Sequence, residues 1–245
     1  MSMVINVFRR YEKKFLLTER QYTSLLLILE ANMDYDEHCL GRRPYTVRNV
    51  YYDTADSELI RKSLDKPTFR EKIRIRKYGP FNQPNNEVYV EIKRKYQGIG
   101  TKRRVRLTDA EAAALLEKAV LPEKEDYYSR QILSEIAYLT KIYPVVPAVF
   151  MSYERLAFLD KNDKRFRLTI DRDIRTRRDN FDFGAGPSGL SLLPKDHILM
   201  EVKVGAAMPL WFAQALSALK IYLTSYSKYG KEFETRIRKE IAEDV

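Results

Sequence analysis

Five separate stretches of this chain alternate apolar residues with charged ones, and most of the charged ones are Lys or Arg. Successive residues of an extended strand point to opposite faces, so each stretch resolves into a greasy side and a charged side. In 69–78, Ile73 and Ile75 lie opposite Arg70, Lys72, Arg74 and Arg76. In 87–95, Val88, Val90 and Ile92 oppose Glu91, Lys93 and Lys95. In 101–107, Val105 and Leu107 oppose Lys102, Arg104 and Arg106. In 165–171, Phe166, Leu168 and Ile170 oppose Arg165, Arg167 and Asp171, and in 198–204, Met200, Val202 and Val204 oppose Glu201 and Lys203.

A sheet with one face on a core and the other in water produces this alternation in any single strand. Two features of the whole set go further. Lys and Arg placed opposite one another across strands repel, which costs stability unless an anion fills the space between them. A carboxylate also stands two residues before a lysine three times, in Glu12-x-Lys14, Glu91-x-Lys93 and Glu201-x-Lys203. Such a carboxylate can hold a hard divalent cation through oxygen while its neighbouring lysine holds phosphate.

Further strands are expected over 7–17, 45–53 and 147–159, and the 165–171 pattern extends to about 176. Helices are marked by capping boxes at Thr18–Gln21 and Thr108–Glu111. A third is marked by helical spacing over 126–141, and a fourth by Pro209 at a first turn ahead of Trp211, Leu216, Leu219 and Leu223. A last helix is expected over about 228–242, and Asp53 or Asp56 is expected to open a short one around 55–63; the Tyr51–Thr54 segment otherwise reads as structural. Strands follow strands without regular βαβ alternation, which predicts an α+β fold with a mainly antiparallel sheet. Closing that sheet into a β-barrel would place the charged faces inside as a tunnel and the apolar faces outside, under the amphipathic helices. One domain over 1–245 is the expected organisation.

Lys and Arg number 44 against 34 Asp and Glu, a formal charge of +10 with a pI near 9.5, so an anionic partner is expected. A single cysteine, Cys39, excludes an intramolecular disulfide framework. Two histidines without His-Glu or Cys-x-x-Cys spacing make a zinc site unexpected. The sequence has no apolar run long enough for a membrane span and no signal-peptide pattern at its start, so a cytoplasmic location is expected. No P-loop occurs, so a nucleotide would be held by side chains rather than by a glycine cradle. Aromatic-rich RNA motifs and a helix-turn-helix are missing, and no nucleic-acid partner is expected.

Nine short segments, in order, carry a resemblance to a known family: RYEKKFLL at 10–17, RNVYYDT at 48–54, FREKIRIRKYG at 69–79, VEIKRK at 90–95, TKRRV at 101–105, YERLAF at 153–158, FRLTID at 166–171, LMEVKV at 199–204 and SYSKYG at 225–230. Together they resemble the VTC domain, the polyphosphate polymerase branch of the CYTH or triphosphate-tunnel superfamily. The resemblance implies transfer of the γ-phosphoryl group of ATP to a growing inorganic polyphosphate chain, with release of ADP and dependence on Mn²⁺ or Mg²⁺. It implies phosphate-binding roles for Lys14, Arg74, Arg76, Lys93, Lys102, Arg155 and Arg167, with Arg104 and Lys203 on the same strand faces. Tyr153 matches a tunnel tyrosine, Glu201 the metal-binding carboxylate, and Ser227 with Lys228 a Ser-Lys pair meeting phosphate near the tunnel mouth. The catalytic set so implied is Arg74, Arg76, Lys93, Arg155, Arg167 and Glu201.

One departure separates the branches. Triphosphatases of the wider superfamily begin with Glu-x-Glu-x-Lys, whereas this chain reads Arg10-Tyr11-Glu12-Lys13-Lys14. Arginine in place of the first glutamate removes a metal ligand, which favours the polymerase and leaves Glu12 without its usual partner. The alternatives are a tunnel triphosphatase and a non-catalytic polyphosphate-binding subunit. A membrane-protein partner is compatible with the resemblance and not identified by it.

Overall fold

The computed structural model describes residues 11–65, 67–82, 86–97, 99–205 and 207–243. Residues 7–10, including the Arg10 discussed above, lie outside the described residues. The chain divides into two compact units: residues 1–45, 153–174 and 191–227 form the first, and residues 46–152, 175–190 and 228–245 the second.

The first unit contains strands β1 (Tyr11–Thr18) and β2 (Met33–Tyr35) with helix α1 (Glu19–Asn32) between them. β1 pairs antiparallel with β10 (His197–Val204), which pairs in turn with β8 (Arg167–Arg177), and the two-residue β11 (Leu223–Thr224) adds to the other edge of β1. α5 (Leu210–Ala218) completes the unit. α1 starts where the sequence indicates: Thr18 accepts from the N–H of Gln21, and the Gln21 side chain accepts from the Thr18 N–H. The apolar side of this sheet, with Phe15, Leu17, Leu168, Ile170, Met200 and Val202, is buried against Leu25 and Leu29 of α1 and Phe212 and Leu216 of α5. Each such side chain contributes about 1.5–3 kcal/mol when fully removed from water.

The second unit contains β3 (Tyr45–Thr54), β4 (Phe69–Tyr78), β5 (Glu87–Tyr96) and β6 (Ile99–Thr108), joined antiparallel in that order. Its helices are α2 (Glu58–Leu64), α3 (Asp109–Lys118), α4 (Tyr127–Ile142) and α6 (Lys228–Glu243). Thr108 forms the second capping box, with Glu111, and Asp126 caps α4 by accepting from the Ser129 N–H. α2 is opened by Asp53, whose carboxylate accepts from the N–H groups of Leu59 and Ile60. Ile73, Ile75, Val88, Val90, Ile92, Val105 and Leu107 form the apolar side and pack on Leu115 and Leu116 of α3 and Ile132, Leu133 and Ile136 of α4. β7 (Val145–Asp160) and β8 run through both units, and β7 is the neighbour of β3 and of β8.

These pairings establish an antiparallel-sheet-rich α+β fold. They do not establish the closed barrel expected from the sequence: among the described residues the path of paired strands ends at β11 on one side and β6 on the other. α5 is shorter than its apolar pattern suggested. It stops at Ala218, Lys220 adopts a positive φ of 54°, and Leu223 belongs to β11. The short strands β2, β9 (Leu190–Ser191) and β11 were not anticipated. No helix among the described residues is long and apolar enough to cross a membrane.

Candidate phosphate site

Register turns the cationic alternation of the second unit into a pattern of rows. Across β4, β5 and β6 the charged side carries Arg70–Lys95–Gly100, Lys72–Lys93–Lys102, Arg74–Glu91–Arg104 and Arg76–Tyr89–Arg106. Successive rows are about 6.6 Å apart along the strands. They hold nine cations and one carboxylate, and one row sets three lysines abreast. Like charges directly opposite destabilise a sheet, so this face carries repulsion that an anion lying along it would offset.

Glu91 organises the centre of this face. Its side chain is fully buried, and its Oε2 accepts from both Nε (2.8 Å) and Nη2 (2.6 Å) of Arg74. Its Oε1 has no hydrogen-bond donor and lies 3.6 Å from Lys102 Nζ. Burial pushes the Glu91 carboxyl up, but Arg74, Arg76 and Lys102 outweigh it and hold the group well below the usual carboxylate range. Arg74 also donates through Nη1 to the Tyr51 hydroxyl at 3.1 Å. Arg76 is buried and donates to Asn49 Oδ1 at 2.8 Å; Asn49 is itself fixed by donating to the Met151 carbonyl. Lys102 sits among cations. Burial lowers its ammonium, Glu91 opposes that fall, and Arg104, Arg74 and Arg76 add to it, leaving the group at about 8. Arg104 lies over the Tyr89 ring at 4.6 Å.

The first unit has a cluster of its own. Lys14 and Glu201 face each other across β1 and β10, with Nζ 3.4 Å from Oε1. Lys14 is also 3.3 Å from Glu12 Oε1 and donates to the Tyr226 carbonyl at 2.7 Å. Arg155 lies 3.6 Å from Glu201 Oε2 and makes a two-pronged pair with Asp171, at 2.6 and 2.7 Å. Its guanidinium stands 5.1 Å from the Tyr153 ring centre. Burial lowers the Arg155 pKa, but Asp171, Tyr153 and Glu201 outweigh it and keep the group charged.

The comparison with family models decides the relationship: the model of the VTC domain matches residues 9–236. The chain belongs to the VTC domain family. A curated relative of this VTC domain is vacuolar transporter chaperone complex subunit 4 of Schizosaccharomyces pombe, 26% identical over 181 residues. That match covers 66% of this chain and 24% of the relative, so the domain spans about a quarter of that protein's length. Among solved structures, a Bacillus halodurans protein named as a candidate adenylate cyclase superposes with a TM-score of 0.51 at 17% identity. It covers 89% of this chain and 95% of its own. At that identity the likeness shows a shared fold.

Within the VTC domain the expected site residues fall into four groups. Arg74, Arg76, Lys93, Lys102 and Arg104 share one sheet face of the second unit, and Lys14, Tyr153, Arg155 and Glu201 share one cluster of the first. Arg167 pairs with the buried Asp36 at 2.7 Å, and Lys203 is exposed, in register with Glu12 and Arg167. Ser227 immediately precedes α6, and Lys228 is that helix's buried first residue. The sequence reading left unassigned Asp36 and Asp171 as counter-ions and Tyr51 as Arg74's partner. Asp171 did stand on the charged side of its strand, which was a usable signal; Asp36 gave none.

No group of three or more His, Cys, Asp or Glu stands together among the described residues in an arrangement for a metal ion. The residues fit a different mode of holding one. Glu12 and Glu201 both lie against Lys14. One or two carboxylates with substrate phosphates completing the shell is how a Mg²⁺-like ion is commonly held. These donors therefore fit Mn²⁺ or Mg²⁺ arriving with phosphate.

Proposed function

We propose that this VTC domain is a polyphosphate polymerase that moves the γ-phosphoryl group of ATP onto the end of a polyphosphate chain. The observation that carries the reading is the row Lys72–Lys93–Lys102, three lysines in register across neighbouring strands between rows that also carry arginine. Family membership supports it, as does the Glu201 carboxylate, which a plain anion binder does not need.

In the proposed reaction a terminal phosphate oxygen of the polymer bonds to the γ-phosphorus. The bond from that phosphorus to the β–γ bridging oxygen breaks, and ADP leaves with the electron pair. The attacking oxygen is already deprotonated, so no general base is required. Phosphoryl transfer depends chiefly on in-line positioning and on neutralised oxygens. Arg74 and Arg76 suit that role because Glu91, Tyr51 and Asn49 fix their orientation before substrate arrives. Lys93, Lys102 and Arg104 supply charge on the same face. Lys14 and Arg155 bind phosphate in the first unit, with Arg167, Lys203, Tyr153 and Ser227 as further contacts there; Lys228 is a further contact in the second unit. Glu201, with Glu12 beside it, would hold the divalent ion, which would supply positive charge to offset that of the phosphate oxygens.

The test is incubation of the purified chain with ATP and Mn²⁺ or Mg²⁺, followed by electrophoresis for long polyphosphate. Orthophosphate as the sole product would replace the polymerase by the triphosphatase, in which water is the acceptor. That second reading draws on Glu12, which shares Lys14 with Glu201. The polymerase reading also retains the tunnel: bound polymer should resist an added exopolyphosphatase, and its complete digestion would remove the tunnel from the account.

A further inference from the structure

We propose that Tyr51 is a further phosphate-binding residue, its phenol donating a hydrogen bond to a phosphate oxygen held by Arg74. This rests on the reading of the β4–β6 face as a phosphate site. Tyr51 is 7% exposed and pairs in register with Arg74 across β3 and β4. Its oxygen accepts from Arg74 Nη1 at 3.1 Å. Its own proton has no acceptor among the described residues. A buried donor left without an acceptor is uncommon and costly. The ring cannot easily turn away, because it stacks on Tyr229 of α6 at 4.8 Å between centroids and 29° between planes. The phenol is thus fixed in the same row as Arg74, Glu91 and Arg104, where an O–H donor meets a phosphate oxygen with a strong, charge-assisted bond.

The surroundings of Tyr51 make this proton unusual. Burial pushes its pKa up, but Arg74, Arg76 and Lys72 outweigh burial and bring it down to about 8. The other charged or titratable groups around it are Glu91 and Lys93 on β5, Lys102 and Arg104 on β6, Asp53 on β3 and Tyr229 on α6. Above pH 8 the free site therefore carries a phenolate that pairs with Arg74 and repels phosphate. A bound polyanion acts in the opposite direction: it keeps Tyr51 protonated, because coupling between proton and ligand is reciprocal.

The experiment follows tyrosinate absorbance of the full chain with pH, alone, with tripolyphosphate and with ATP, in the wild type and in Tyr51→Phe. Phe keeps the stacked ring. One tyrosine is expected to titrate near pH 8 in the wild type and to be missing in Y51F. Ligand should move that step upward by about one pH unit, equivalent to about tenfold in affinity between the two protonation states. Affinity in Y51F should be lower at pH 7 and less sensitive to pH. A shift with tripolyphosphate alone places Tyr51 at the inorganic chain; a shift with ATP as well places it where both run. If tripolyphosphate binds but the step does not move, Tyr51 is a packing residue and the proposal fails, whether or not Y51F folds. If tripolyphosphate does not bind the wild type at any pH, the phosphate reading itself fails and takes Tyr51 with it.

Discussion

Arg74 places two of its nitrogens on a single oxygen of Glu91, and the other oxygen of that buried carboxylate is left to Lys102 at 3.6 Å. One counter-ion therefore orients the central arginine of a strongly cationic face without neutralising that face.

Replacing this carboxylate should show both effects. Removing one partner of a buried pair costs about 3–5 kcal/mol, so Glu91→Ala is expected to lower the denaturation midpoint markedly and Glu91→Gln less so. The sign with pH follows from the depressed pKa. The Glu91 contribution is fully present above the ordinary glutamate value of 4.5 and is lost as pH falls through the lower folded-state value. Urea unfolding of E91Q from pH 7 downward should therefore show a shallower acid loss of stability than the wild type.

Burial, with Arg104, Arg74 and Arg76, brings Lys102 down to about 8, so its charge is lost as pH rises through 8. Tripolyphosphate affinity should fall as pH rises through 8. Lys102→Arg should hold its affinity to higher pH, because guanidinium stays charged. Lys102→Gln should weaken binding about five- to tenfold at pH 7. Calorimetric titration of the three proteins at several pH values checks this, and equal pH profiles would remove Lys102 from the site.

Glu201 gives a prediction with two opposite signs. It faces both Lys14 and Arg155, so Glu201→Gln leaves these cations with less counter-charge. Metal-free tripolyphosphate should then bind more tightly than to the wild type, while turnover with Mn²⁺ drops about 10²–10³-fold. Loss of both binding and turnover would indicate a structural role.

The α6 helix is tied to β3 by the Tyr229 hydroxyl, which donates to Asp53 Oδ2 at 2.8 Å; burial first and Asp53 second keep that phenol protonated. Tyr229→Phe should cost about 1–3 kcal/mol, measurable as a lower urea midpoint. Protection of α6 amides from hydrogen exchange should fall with it, and unchanged protection would separate helix docking from this bond.

Much of the fold was legible because a period of two is hard to mistake where one face is greasy and the other cationic. β4 spans the expected 69–78, and Thr18 and Thr108 make both bonds of their capping boxes. The pieces that escaped notice are two or three residues long, too short to carry a period: β2, β9 and β11. α5 was over-extended because Leu219 and Leu223 continue its apolar spacing past the turn at Lys220. For the site, the cations could be read from the strands, but which carboxylate pairs with which cation could not. Glu91 stands on the cationic side of its strand, but its pairing with Arg74 shows only in the folded register, and Arg167 pairs with Asp36, 131 residues away in sequence. The Tyr51–Tyr229 stack joins residues that no local pattern connects.

The most direct test of the central claim uses ATP labelled in its γ-phosphate, with product size and ADP followed together in the presence of Mn²⁺. The account predicts label in long polyphosphate, one ADP released per phosphate incorporated, and loss of that product in Arg74→Ala. Label recovered entirely as orthophosphate, or ATP left intact with every metal tried, would contradict it.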